Sequence, residues 1–167
     1  NHAHVHFIGE RHRLHSIALS NEAKVWIDDD LRIDAIKGIH AGPGTSLNLA
    51  GVRVRGKLES SGRIQLSGAN EFGVFDHTGE LLVMTTGDAG QPPVISGAEI
   101  RLSGRPKIRF GHHRDHLPQD ILVAESPDLE LGEAFVGESI SLKKRYRFDL
   151  VREKDQLWIR NVALVGK

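Results

Sequence analysis

The sequence predicts an all-β chain of many short strands, and three observations carry that prediction. Glycine occurs 18 times and proline 6 times, scattered rather than clustered, so no helix of ordinary length fits between them. The pieces between these breaks alternate apolar and polar, as in Leu47-Asn48-Leu49 and Ile64-Gln65-Leu66, the period-two pattern of a pleated strand. The chain closes with two longer alternating segments that carry Tyr146, Phe148 and Trp158 in a protein with only 5% aromatic residues. Two architectures accommodate such strands: a sandwich or barrel, and a right-handed parallel β-helix with coils of about 20 residues. Triplets such as Ile17-Ala18-Leu19, Val25-Trp26-Ile27 and Leu31-Arg32-Ile33 are as short as the faces of a coil, and they favour the β-helix.

In chain order, strands are expected at 5–8, 17–19, 24–27, 31–36, 46–56, 62–66, 80–84, 94–95, 99–102, 107–110 and 121–124, before the terminal pair. Turn chemistry separates them: Ser20-Asn21-Glu22, Asp28-Asp29-Asp30, Ala41-Gly42-Pro43-Gly44-Thr45, Ser60-Ser61-Gly62 and the Asp88 to Pro93 run. In the first terminal strand Tyr146, Phe148 and Leu150 share one face, with Arg147 and Asp149 on the other. After a turn at Glu153 to Gln156, the second strand sets Trp158 and Val162 on one face and Leu157, Ile159 and Ala163 on the opposite one. The aromatic residues are expected to plug the open end of the solenoid, while basic residues along the pair discourage another strand edge from docking. Truncating a buried Trp costs about 3 to 5 kcal/mol, so a plugging Trp158 would be indispensable to the cap.

The bulk numbers restrict function. With 167 residues and 39% hydrophobic composition the chain can bury a continuous core. No apolar run approaches the roughly 18 residues of a spanning helix, and Asn1-His2-Ala3-His4 lacks the order of a signal peptide. Absence of an initiator Met suggests a piece of a longer protein. Absence of cysteine removes thiol catalysis, disulfides and thiolate zinc sites. Lys plus Arg equal Asp plus Glu at 22 each, so bulk charge gives no handle for nucleic acid, and no nucleic-acid partner is expected.

Ten histidines raise a metal hypothesis. His4 and His6 alternate on a strand and, with Glu10, imitate the first metal motif of a cupin, but the second cupin element is missing. Surface histidines without a fixed ligand explain them better, as a solvated loop explains His112-His113-Arg114-Asp115-His116. No G-x-S-x-G serine context or phosphate loop occurs. Asp28, Asp29 and Asp30 are the obvious carboxylates for glycosidase chemistry, yet three consecutive corner residues point apart. Arg53 and Arg55 alternate in Val52-Arg53-Val54-Arg55-Gly56 and are read as a solvated outer face rather than a ligand strip. Neither a cofactor nor a metal is expected.

The run DILVAESPDLELGEAF from Asp120 to Phe135, followed by the spacing of Tyr146-Arg147-Phe148, Leu150, Trp158 and Arg160-Asn161, resembles the C-terminal end of passenger domains in pertactin-like autotransporters. The resemblance covers about 45 residues. It implies a right-handed parallel β-helix capped by a C-terminal antiparallel β-hairpin, with coils over 1–118 and a capping, autochaperone-like segment over 119–167. It further implies a non-enzymatic stem whose parent is an adhesin or a serine protease. Such a stem supports secretion through its own outer-membrane β-barrel and display at the bacterial surface after passage through the periplasm. A host surface protein or glycan is the external partner it allows. The nucleating cap would comprise Tyr146, Phe148, Leu150, Trp158 and Ile159 over a strand carrying Ile121, Leu122 and Val123. The rival reading is a β-helical polysaccharide-processing enzyme or a metal-binding cupin-like domain.

Overall fold

In-out alternation and glycine corners produce a parallel β-solenoid closed by an antiparallel hairpin. The computed structural model describes residues 4–7, 10–20, 22–27, 31–35, 37–85, 90–103, 106–110, 120–132, 138–139 and 146–164. The strands are β1 (His4–Phe7), β2 (Arg11–Leu14), β3 (Ile17–Leu19), β4 (Lys24–Ile27), β5 (Arg32–Ala35), β6 (Ile39–Ala41), β7 (Ser46–Ala50), β8 (Arg53–Ser60) and β9 (Arg63–Ser67). They continue as β10 (Asn70–His77), β11 (Glu80–Thr85), β12 (Ile95–Leu102), β13 (Pro106–Phe110), β14 (Ile121–Glu125), β15 (Asp128–Leu131) and β16 (Glu138–Ser139), and end with β17 (Tyr146–Glu153) and β18 (Gln156–Leu164).

One sheet stacks β1-β4-β7-β9-β11-β13-β16, all parallel. The second runs β2-β5-β8-β10-β12-β14 in parallel and finishes with β18 and β17 in antiparallel order. The chain alternates between the sheets, so each coil rests on the one before it. In the middle of the stack Arg63 lies over Ser46 and Glu80 over Arg63, two consecutive offsets of 17 residues. Coils outside this centre are longer: His4 pairs with Lys24 and Leu81 with Pro106.

Register places like on like inside the solenoid. Val25, Leu47, Ile64 and Leu81 form one column, and Ile27, Leu49, Leu66 and Val83 the next. On the other sheet Ile39, Leu58, Phe75, Ile100 and Leu129 stack in order. All of these are buried. Each fully buried aliphatic side chain contributes about 1.5 to 3 kcal/mol, and the columns join into one continuous core.

Strands β8, β10 and β12 are bent, and a glycine sits at each bend. Gly56 has φ of 111°, and a side chain there would strike the Ala35 carbonyl oxygen of the coil below. Gly73 and Gly97 follow above it, each too close to the preceding coil to carry a β-carbon without displacement. A register slip between Phe72 and Val74 turns both Phe72 and Phe75 inward, with ring centroids 4.8 Å apart. The sequence reading assigned no strand to this segment. Strands β2, β6, β15 and β16 were likewise not foreseen, whereas β3 and β4 have the bounds expected of them.

Candidate functional site

The C-terminal hairpin ends the parallel ladder. Lys154 turns the chain with φ of 50°, and the Asp155 carbonyl accepts a hydrogen bond from the Ser126 amide at 2.8 Å, fixing the turn to the last coil. Leu150, Ile159 and Ile121 lie directly opposite one another across β17, β18 and β14. Phe148, Leu157, Ile159, Ile121 and Val123 are buried, and Tyr146, Leu150 and Val162 pack against them from partly buried positions. The expected cap residues therefore come together, apart from Trp158 and Leu122.

Trp158 is not a plug. It lies on the outer face, directly opposite Leu122 on one side and Val151 on the other. Its indole Nε1 donates to Gln156 Oε1 at 3.1 Å, and the Arg160 guanidinium sits 5.4 Å from the ring centroid. The bulge at Asn161, with φ of 54°, explains why simple alternation misplaced β18. It inserts one residue, so Val162 returns to the core side shared by Leu157 and Ile159. Aliphatic residues and Phe148 close the solenoid. Arg160, paired bidentately with Glu153 and 3.3 Å from Asp120, straps the outside.

Of the metal candidates, His4 stacks on Trp26 at 5.3 Å, and Glu10 is exposed. Among the described residues no three His, Asp or Glu side chains converge, so His4, His6 and Glu10 are not gathered into a site. Asp28 to Asp30 and the 112–116 histidine run lie outside the described residues.

A second constellation crosses the outer flank of the β2-β5-β8 face. Arg11, Arg32 and Arg53 stand directly opposite one another on successive strands, followed by Glu71. The neighbouring column holds Arg13, Asp34 and Arg55. Arg11 grips Asp34 through Nε and Nη2, with Arg32 and Arg55 at 3.5 and 4.0 Å. The Arg11 hydrogen bond, reinforced by all three charges, holds the Asp34 carboxyl below the usual carboxylate range. Farther along, Lys57 bridges Glu59 and Asp76 at 3.0 and 3.3 Å; it lowers the Glu59 pKa, and its own is raised.

Inside the solenoid, Ser60 and His77 stack in register and are both buried. Among the described residues, neither Ser60 Oγ nor either His77 ring nitrogen has a hydrogen-bond partner of good geometry. Burial pushes the His77 pKa down, although nearby backbone groups of Glu80, Ser60 and Gly79 and the charge of Asp76 favour protonation. A depressed imidazole destabilises the folded state once the unfolded chain takes up a proton that the folded chain refuses. Stability is expected to be retained above about pH 6.5, the unfolded value, and to fall as pH drops below it. Urea midpoints between pH 7.5 and 5.5 check this, and His77→Leu should flatten that part of the profile.

These features define a parallel β-solenoid with an antiparallel cap and an arginine-rich flank. Compared with protein families, curated proteins and solved structures, the chain matches none of them.

Proposed function

We propose that this chain is the C-terminal stem and folding template of an autotransporter passenger, a non-enzymatic solenoid that supports secretion and surface display of an adhesin or other virulence factor. The observation that carries the reading is the position of the hairpin. It covers the last coil and binds it through Ile121, Leu150 and Ile159 in one row, giving the parallel ladder a closed, locally connected end. Contacts within a hairpin have short sequence separation and can form before any coil-on-coil pairing. Each later coil then needs only its neighbour. The outer-membrane β-barrel of the parent protein is the partner this requires, and the resemblance of 120–161 to passenger C-termini points the same way.

Refolding kinetics test the template. Ile159→Val in the cap and Ile64→Val in the middle of the stack each remove one methylene from a fully buried site and should cost about 0.5 to 1.5 kcal/mol. The cap change should appear mainly as slower refolding and the mid-stack change mainly as faster unfolding. The opposite partition overturns a folding-template role. In the full-length protein, Ile159→Ala rather than a Trp158 change is the informative display variant, and it should lower surface display while leaving the barrel inserted.

A further inference from the structure

We infer that the arginine flank is a binding strip for an extended acidic polysaccharide, one bearing carboxylate or sulfate groups. This inference does not depend on the secretion reading. Like charges placed directly opposite on neighbouring strands destabilise a sheet, yet Arg11, Arg32 and Arg53 occupy three successive strands in one column. Strands are about 4.8 Å apart, so three guanidinium groups are concentrated within the reach of a few sugar residues. Among the described residues, Asp34 and Glu71 are the carboxylates that pair with Arg11, Arg32, Arg53 and Arg55, two acids against four guanidinium groups. Arg53 and Arg55 are only loosely held, at 3.9 Å from Glu71 and 4.0 Å from Asp34, and their side chains are 67% and 73% exposed. Arg13 is exposed. The chain as a whole is neutral, so this accumulation is local.

Shape supports the charge argument. Two adjoining grooves share Arg55 and Gly56; one reaches Arg11 and Arg13, and the other continues past Arg32 and Arg53 to Gly73 and Gly97. Gly56, Gly73 and Gly97 line this trough with bare backbone beside small or buried apolar residues, so a flat chain can lie across several coils. Guanidinium forks pair bidentately with carboxylate and sulfate oxygens. Phe72 lines the trough but is buried and offers no exposed ring for stacking a base, which argues for an acidic glycan over a single-stranded nucleic acid.

The test titrates the whole chain with a heparin oligosaccharide, a polygalacturonate oligosaccharide, neutral dextran and oligo(dT) at low salt. Binding to one or both acidic glycans, weakening with added salt and absent for dextran, is the expected result; binding of polygalacturonate shows that carboxylates suffice, and binding of heparin alone shows that its sulfates are required. Arg53→Ser/Arg55→Ser should weaken that binding at least tenfold, while Arg63→Ser on the other sheet leaves it unchanged. The double variant should keep or raise the urea midpoint, because it relieves like-charge crowding. No glycan binding, tighter binding of oligo(dT), an unaffected double variant, or a clear loss of stability in it would each overturn the assignment.

Discussion

Gly79→Ala is expected to be the most damaging single-atom addition in the centre of the stack. A β-carbon at Gly79 would overlap the Gly62 carbonyl oxygen of the coil below and sit 2.6 and 2.7 Å from the carbonyl oxygen and carbon of Ser61. All of these are backbone atoms, so no side-chain rotamer can relieve the clash. The Glu80 amide donates to the Gly62 carbonyl at 3.1 Å, and β11 is paired along its length with β9, so lifting one coil breaks the ladder that holds it. A penalty above about 4 kcal/mol is expected, a large share of the roughly 5 to 15 kcal/mol of a typical domain. Gly42→Ala is the matched comparison, because among the described residues its added carbon would meet only the Leu19 carbonyl oxygen, at an ordinary 3.5 Å. Urea denaturation followed by far-ultraviolet circular dichroism should show Gly79→Ala unfolded or severely shifted and Gly42→Ala within about 1 kcal/mol of the parent. Similar midpoints for the two variants would mean that the coils are not stacked this closely.

The same glycine corners show why the sequence was only partly legible. Alternation identified β3, β4 and β9, whose side chains keep strict period two, and it located β7 and the terminal pair while running β7 on into β8 and missing the bulge in β18. It failed at β10, where the slip beside Gly73 puts Phe72 and Phe75 three residues apart on the same face. It split β12 at Gly97, reading a bend in one strand as a gap between two. A different signal was available: Gly51, Gly56 and Gly62 recur as Gly68, Gly73 and Gly79, each 17 residues later. Gly51 and Gly68 even share a φ of 65°. That coincidence marks two consecutive coils, and it is carried by corner geometry rather than hydrophobic pattern.

Candidate sites were less legible than the strands, for a related reason. Arg53 and Arg55 could be placed on one face from alternation alone. Their company with Arg11, Arg13 and Arg32 depends on the coil offset, which varies along the chain: 21 residues from Arg11 to Arg32 and from Arg32 to Arg53, but 17 from Ser46 to Arg63. Trp158 was misplaced because a bulge, invisible in the period, lies between it and Val162. Function that lives on a solenoid flank is assembled across coils, so register has to be known before the site can be.

Asn70→Ala is expected to be the second most destabilising change, because one side chain ties three coils at a corner. Asn70 Oδ1 accepts from the Val52 amide at 3.1 Å, on the coil before it. Its Nδ2 donates to the carbonyls of Ser67 and Gly68 at 3.0 and 3.2 Å and to Val94, on the coil after it, at 3.1 Å. The residue is 1% exposed, so water cannot replace these partners without opening the corner. Each buried polar group left without a partner costs about 1 to 3 kcal/mol; Val94 keeps its bond from the Asn70 amide, and the Val52 amide keeps nothing from that side chain. A total loss of about 3 kcal/mol follows, to be read from urea midpoints. Asn70→Asp separates the bonding from the packing. It preserves shape and the acceptor for Val52, but turns a carboxylate oxygen toward three carbonyls, so its pKa in the folded chain must rise above the unfolded value near 3.9. A raised carboxyl pKa makes the folded state most favourable below the unfolded value and progressively less so as pH rises through the folded one. Relative to the parent protein, the aspartate variant should therefore be least stable at neutral pH and regain stability on acidification towards pH 4, whereas the alanine variant should show a constant deficit. An aspartate variant as stable as the parent at neutral pH would show that the Asn70 amide hydrogens do not hold these corners together.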